Sequence, residues 1–365
     1  MTIVTLPNGA TLRPLELPAR ADAGPTPLVR RYAEVRNTVI RQVTGRDDDV
    51  VPAESLLPLL RSDADVVRRQ WYIERGGELI GCAPLNIPQD DGDTIATGTI
   101  ALLREHWSRG IGSAVLNVLE EHARAAGAQR MLCWEEHHGD DGTQMLRSPT
   151  GVGAVPRDHA ARFLDRHGFR LEQVERASEL ALDAAADQRI SALHDAALRH
   201  AAEYRTVQWM LPTPPEHLDD YAWLKSRMST DVPDGQLGMP VEVWDAERVR
   251  RHDERYLRRG AAVLVTAAEH IATRRLVAFT ELAMFGDDDT AKGDQQDTLV
   301  LAEHRGHRLG TLVKTAALQS WRRRYPHSPR VVTYNAEDNR PMLSINEALG
   351  FTPVAHEGAW RKDLL

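Results

Sequence analysis

Two short corners in this 365-residue chain carry residue types able to hold a phosphate. One runs Arg305, Gly306, His307, Arg308, Leu309, Gly310; the other runs Trp107, Ser108, Arg109, Gly110, Ile111, Gly112. Each follows an apolar, strand-like stretch and leads into an amphipathic, helix-like one. Glycine lets a backbone approach a ligand closely, and the first amides of a helix are unpaired donors at its positive end, so such corners suit a phosphate or pyrophosphate. Arg305 and Arg308 add positive charge. A tight turn whose glycines serve only packing explains one corner as well; two in equivalent places weaken that alternative. A Walker loop is excluded, because Thr311 stands where its second glycine belongs. A Rossmann fingerprint is excluded too: REHWS and AEHR separate strand from glycines, and GIGSAV lacks the third glycine.

The elements that position these corners repeat. With Gly112 set on Gly310, Ile111, Val115, Val118 and Leu119 fall on Leu309, Val313, Ala316 and Ala317, one helical face in phase twice. Further on, ARFLDRHGF (161–169) and MLSINEALGF (342–351) both read as a helix capped by glycine before Phe169 or Phe351 enters a strand. The first copy is longer, and its excess falls in the Gly/Asp/Ser-rich stretch 137–154, expected to be a surface loop. An alanine-rich helix over 184–202 follows the first copy. The expected domains are 1–185 and 186–365. In the second, strands are expected at 261–268, 276–284 and 298–301, helices after PTPPEH and over 245–258, and a hairpin loop at 286–297.

The composition bounds the rest. With 42% hydrophobic and 27% charged residues the chain can bury full cores, and a formal charge of −8 favours neither nucleic acid nor an anionic membrane as partner. Cys82 and Cys133 are far apart and form no metal or disulfide framework. No signal peptide or membrane-length apolar run is seen, so a cytoplasmic protein is expected. His137 and His138 with Asp140 and Asp141 lack metal-ligand spacing and read as a solvated loop; no metal is expected. Asp287, Asp288 and Asp289 read as an exposed turn, or as an electrostatic attractor for a cationic substrate. The basic run 322–324 suits a helix end.

The two motifs, in order and twice, resemble the GNAT superfamily of acyl-CoA-dependent N-acyltransferases. Its hallmark is a strand, then (Q/R)xxGx(G/A) opening a helix, and later Nxx(A/M)xxxYxxxGF. TLVLAEHRGHRLG and NAEDNRPMLSINEALGF resemble it, with Arg308 at a glycine position and Asn346 at the tyrosine position. REHWSRGIG and ARFLDRHGF depart further, with Trp107 for Gln/Arg, Arg157 for asparagine and Leu164 for tyrosine. The resemblance implies an α/β fold of two tandem domains, each a splayed mixed sheet flanked by helices, the second catalytic and the first degenerate. It implies acetyl-CoA as acyl donor, its pantetheine arm along Leu299, Val300 and Leu301 and its pyrophosphate at Arg305 to Thr311. Asn335, Asn339 and Asn346 would complete that site, although helix capping accounts for Asn339 equally well. A second possible cofactor site comprises Leu102, Leu103, Arg109, Gly110, Ile111, Gly112 and Ser113.

Acyl transfer to an amine requires the amine neutral, so a carboxylate that accepts its proton is expected near the thioester. Glu281, inside the apolar stretch LVAFTELAM, is the first choice; a solvent-facing place on a half-buried strand is the plain alternative. Asp297 and Asp294 are further candidates. The tyrosine that would protonate the leaving thiolate is missing, and Tyr334 is the replacement if it faces the cleft. The acceptor is expected to be a small-molecule amine and the protein a monomer or homodimer. A protein that binds acyl-CoA without turnover is the competing class.

Overall fold

The computed structural model describes residues 2–20, 22–47, 49–89, 95–139, 143–286 and 289–364; Asp140, Asp141, Asp287 and Asp288 lie outside the described residues. The chain divides into two compact units. Unit 1 holds residues 1–174, 235–240 and 356–365, and unit 2 holds 175–234 and 241–355. The division after Val174 falls inside a strand.

Unit 1 runs β1 (Val4–Thr5), β2 (Ala10–Pro14), α1 (Pro27–Thr44), α2 (Ala53–Leu60), β3 (Val66–Arg75), β4 (Glu78–Pro88), β5 (Ile95–Gly98), β6 (Ala101–Leu102), α3 (Ile111–Ala125), β7 (Arg130–Glu136), β8 (Met145–Arg147), β9 (Ala154–Pro156) and α4 (His159–Arg166). β10 (Arg170–Ala181) crosses into unit 2, which continues with α5 (Ala184–Leu198), β11 (Tyr204–Met210), α6 (Leu218–Asp231), α7 (Ala246–Arg258), β12 (Ala261–His270), β13 (Arg275–Phe285), β14 (Gly293–Val300), α8 (Leu309–Arg324), β15 (Arg330–Ala336), α9 (Arg340–Leu349) and β16 (Thr352–Asp363).

Each unit is an α/β layer with a mixed sheet. In unit 1, β2 to β5 are antiparallel neighbours, β5 runs parallel to β7 through Ile95–Thr97 against Arg130–Leu132, and residues 357–363 of β16 close the far side of β7. In unit 2, β11 to β14 form an antiparallel meander and β14 runs parallel to β15 only through Gly293–Gln295 against Val331–Thr333; residues 175–181 of β10 flank β15. Both parallel pairings stop after three residues, and the strands then part: a V opens in each sheet. The strand beyond each V is thus flanked by chain from the opposite end of the repeat, since β10 follows α4 yet pairs in unit 2, while β16 follows α9 yet pairs in unit 1.

Helices cover the sheets because strand residues bury on both faces. Ile80, Ala83, Leu85 and Ile87 of β4 pack with Ile111, Val115 and Leu119 of α3, while Leu79 and Cys82 pack with Val29, Tyr32 and Ala33 of α1. In unit 2, Leu264, Leu282 and Met284 meet Ala317, Leu318 and Trp321 of α8. Local chemistry fixes the helix ends. Asp158, Asp183, Asp245 and Asn339 cap α4, α5, α7 and α9 through their side chains, and Gly350 stops α9 in the left-handed conformation.

Three loop expectations are corrected. Stretch 286–297 is not all loop: β14 begins at Gly293, and its polar run through Asp297 is strand because it lines the V. Stretch 137–154 contains β8 and part of β9, which pair with each other. His137 is not solvated; it is buried, with Nδ1 3.0 Å from an Asp158 carboxylate oxygen and Nε2 accepting the Trp360 indole N–H at 3.0 Å. Among the described residues no helix is long and apolar enough to cross a membrane.

Candidate active site

Both corners have one backbone form. Ser108 and Gly110 in unit 1, like Gly306 and Arg308 in unit 2, take positive φ, at 56°, 78°, 88° and 56°. Alternating left-handed residues turn successive amides toward one side, a concavity suited to an anion. Leu309 and Ile111, both buried, begin the helices, followed by Thr311 in unit 2 and Ser113 in unit 1. Gly310 and Gly112 are closely packed: a Cβ on Gly310 would stand 2.9 Å from Ile345 Cδ1, and one on Gly112 would stand 3.3 Å from Phe163 Cε2, so a larger residue would have to displace those side chains. Arg305 Nε donates to the Val300 carbonyl at 3.3 Å, and Trp107 Nε1 donates to the Leu102 carbonyl at 2.7 Å. Trp107 also stacks on His159, with 4.4 Å between ring centres. His307 lies against Tyr204, whose hydroxyl is 3.0 Å from His304 Nδ1.

In unit 2 the strand before the corner carries Leu299 and Leu301 into the core and leaves Val300 partly covered. Across the V, Tyr334 is the first residue of β15 past the last rung; its 36% exposure puts it on the surface rather than deep in the protein. Asn335 Oδ1 accepts from Asn346 Nδ2 at 2.6 Å, and Asn346 Oδ1 is buried without a partner. Asn339 accepts from the Met342 amide at 3.4 Å, the capping role.

The carboxylates converge. Between the rungs Thr280–Thr298 and Leu282–Gln295, one residue of β13, Glu281, faces two of β14, Gln296 and Asp297: a β-bulge just past the last rung of the V. Glu281 is 2% exposed, so the solvent-face alternative fails. Its Oε1 accepts from the Tyr221 hydroxyl and lies 3.3 Å from Lys225 Nζ, which also donates to Asp297 Oδ2 at 2.6 Å. Tyr221 and Lys225 come from one face of α6, four residues apart. Rings of Trp244, Phe279 and Tyr221 surround the ammonium, their centres 5.2 to 5.9 Å from Nζ. Asp297 keeps 40% of its side chain exposed and opens outward.

This arrangement drives the two acids apart. Burial raises the proton affinity of Glu281 well above an ordinary carboxylate's, and the Asp297 charge adds to it. Burial also acts to raise Asp297, but the Lys225 charge and hydrogen bond outweigh it and hold Asp297 below its usual range. Neighbouring His252, on α7, is pushed down to about 4 by burial and by Lys225, and so stays neutral. A carboxyl whose proton affinity is raised beside one whose affinity is lowered is a common acid–base division. Asp294 pairs instead with Lys292.

Unit 1 differs at this point. The stretch of β4 corresponding to Glu281 holds Pro84 and Leu85, and no bulge interrupts its pairing with β5 and β6. A cavity of about 210 Å³ opens in its V between Pro84, Asn86, Thr97, Leu132, Cys133 and Trp134. None of these carries a charge. Burial pushes the Cys133 thiol well up, away from reactivity. Glu135, further along β7, is raised to about 7 by burial and by Asp158.

The sequence reading missed Tyr221, Lys225 and His252. A usable signal existed: only four lysines stand in the chain, and Lys225 falls on the same helical face as Tyr221.

Residues 39–144 match the family model described as Acetyltransferase (GNAT) family. Among solved structures, the chain is similar to a tandem GNAT protein from the clavulanic acid biosynthesis pathway, with 24% identity, 98% of this chain and 99% of that one covered, and a TM-score of 0.72. It is also similar to a GCN5-related N-acetyltransferase from Sphaerobacter thermophilus, at 14% identity, 99% and 97% coverage and a TM-score of 0.59. A glucosamine N-acetyltransferase region of a fungal multi-domain enzyme gives 12% identity and a TM-score of 0.60, over 97% of this chain and 38% of that one. No curated protein sequence matches the chain.

Proposed function

We propose that unit 2 moves an acetyl group from acetyl-CoA to a small primary amine; the match of residues 39–144 to the acetyltransferase (GNAT) family model and the likeness of the chain's fold to that of a tandem GNAT protein support acyl transfer. The observation that carries this reading is the carboxylate pair at the bulge, Glu281 and Asp297 bridged by Lys225, at the point where β14 leaves β15. Acetyl-CoA supplies an activated carbonyl. The paired left-handed residues of the corner, the helix N-terminus behind them and the unpartnered amide oxygens of Asn346 and Gln295 fit a long, polar, phosphate-bearing molecule entering the V.

The chain's own residues then divide the work. Asp297, ionised and open, takes the hydrogen bond of the incoming amine and orients it. Glu281, whose proton affinity is raised, is the final acceptor of the amine's proton, reached through Asp297 and Lys225. Tyr221 holds the Glu281 carboxyl in one rotamer. Tyr334 stands at the exposed lip of the cleft, where it can meet the acceptor rather than the sulfur. The acceptor's identity follows from none of these groups; titrating a panel of amines against the protein with acetyl-CoA, following released CoA, tests the reading. No CoA release from any amine, with acetyl-CoA still binding, would favour turnover-free binding.

A second reading applies to unit 1. Its cavity has the place of the V but an uncharged lining, which supports binding of an acyl-CoA arm without transfer. That assigns chemistry to unit 2 and a binding or scaffold role to unit 1.

A further inference from the structure

Lys314, on α8, is fully buried. Among the described residues it has no carboxylate partner: Nζ meets Met342 Sδ at 3.8 Å and lies 5.7 Å from the centre of the Phe351 ring. An ammonium withdrawn from water without a counter-ion is unfavourable. The fold does not need it, because the equivalent position of unit 1 holds Leu116, an ordinary core residue. Burial alone pushes Lys314 down to about 7.

Its surroundings lack a negative charge but not acceptors. Met342 is one turn from Asn346 on α9, and Asn346 Oδ1 is buried and unpartnered while its Nδ2 reaches Asn335. Asn335 Oδ1 also receives the Thr333 hydroxyl at 3.4 Å, and Thr333 forms the last rung of the V with Gln295, whose Oε1 is likewise buried without a partner. Lys314 therefore packs against the helix that carries one idle acceptor, Asn346 Oδ1, and the other, Gln295 Oε1, belongs to the last rung of the cleft; that helix holds an asparagine where the residue that should protonate a thiolate belongs.

We infer that Lys314 is the proton donor and counter-charge for the thiolate released by acyl transfer in unit 2. This rests on the reading of unit 2 as the acyl-CoA site. The amine nitrogen bonds to the carbonyl carbon and gives its proton to the carboxylate pair; the thioester C–S bond breaks with its electron pair passing to sulfur. Lys314 gives sulfur a proton, across water held by Asn346 Oδ1 and Gln295 Oε1, leaving a free thiol and a neutral amine that recovers its proton from solvent. The anion that forms is the partner the resting site lacks.

The test uses the full chain with CoA, and with desulfo-CoA as its blank. The ultraviolet absorbance of the thiolate is followed against pH for the wild type, Lys314→Met and Lys314→Arg. In the wild type and in Lys314→Arg the bound thiol should ionise at least about tenfold more readily than in Lys314→Met, a shift of one pH unit, with desulfo-CoA affinity equal in all three. Turnover should fall in both variants, since arginine keeps the charge but gives up no proton at neutral pH. If Lys314→Met does not fold, Lys314→Leu, which copies Leu116, replaces it. Equal thiol ionisation in wild type and variant overturns the inference while desulfo-CoA binding leaves the cofactor site standing. Loss of desulfo-CoA binding in the wild type overturns both.

Discussion

Trp107 and Arg305 make the same hydrogen bond in the two repeats. The indole N–H of one and the guanidinium N–H of the other each reach the carbonyl five residues back, at Leu102 and Val300. The position is filled by unlike residues because the backbone needs a donor there, a need the sequence pattern alone presents as ligand recognition. Trp107→Ala should therefore loosen unit 1, lowering its stability by about 1–3 kcal/mol through the lost hydrogen bond and His159 stack. Trp107→Arg should recover much of that, as measured by thermal unfolding.

Glu281→Gln keeps the Tyr221 contact but cannot take a proton, so turnover should fall by roughly 10²–10⁴ with acetyl-CoA affinity nearly unchanged. Asp297→Asn should raise the apparent KM for the amine as well, because its oxygen opens to the cleft. Equal activity in both variants would place the base elsewhere.

Lys314 gives stability a definite pH dependence. Its folded-state pKa, near 7, lies below its ordinary 10.5, so between these values the unfolded chain binds more protons and stability rises with pH. Urea midpoints for unit 2 should climb between about pH 7 and pH 9 in the wild type relative to Lys314→Met. Parallel curves would mean the amine is solvated.

Arg308 occupies a left-handed position that glycine holds in unit 1. Relief of about 1 kcal/mol of strain, set against the extra freedom glycine gives the unfolded chain, predicts that Arg308→Gly changes stability by less than about 1 kcal/mol. Lower affinity for acetyl-CoA in that variant, by isothermal titration, would show that the arginine charge rather than the backbone form serves the corner.

Much of the fold was legible, since the glycine corners and the helical faces in phase are local signals. The partners of Glu281 were not: Tyr221 and Lys225 lie some sixty residues away on a helix, and a hydrogen bond across that separation leaves no periodicity to read. Asp297 looked like loop because polar residues lining a cleft resemble polar residues in solvent. Gly310 reads as a ligand contact in the sequence, and a Cβ there would also meet Ile345 Cδ1, a packing role that a motif does not display.

Residues 356–365 belong to unit 1, and residues 175–181 to unit 2. During synthesis the first unit therefore waits, its sheet short of one strand beside β7, until residues 357–363 leave the ribosome. The unpaired edge of β7 is exposed for the time needed to make almost two hundred further residues, a window for mispairing that neighbouring chains can exploit. A gene cut between the repeats would leave one piece with an unfilled edge and strand residues that have lost their sheet. The duplication has become a single folding unit in time, although it remains two in space.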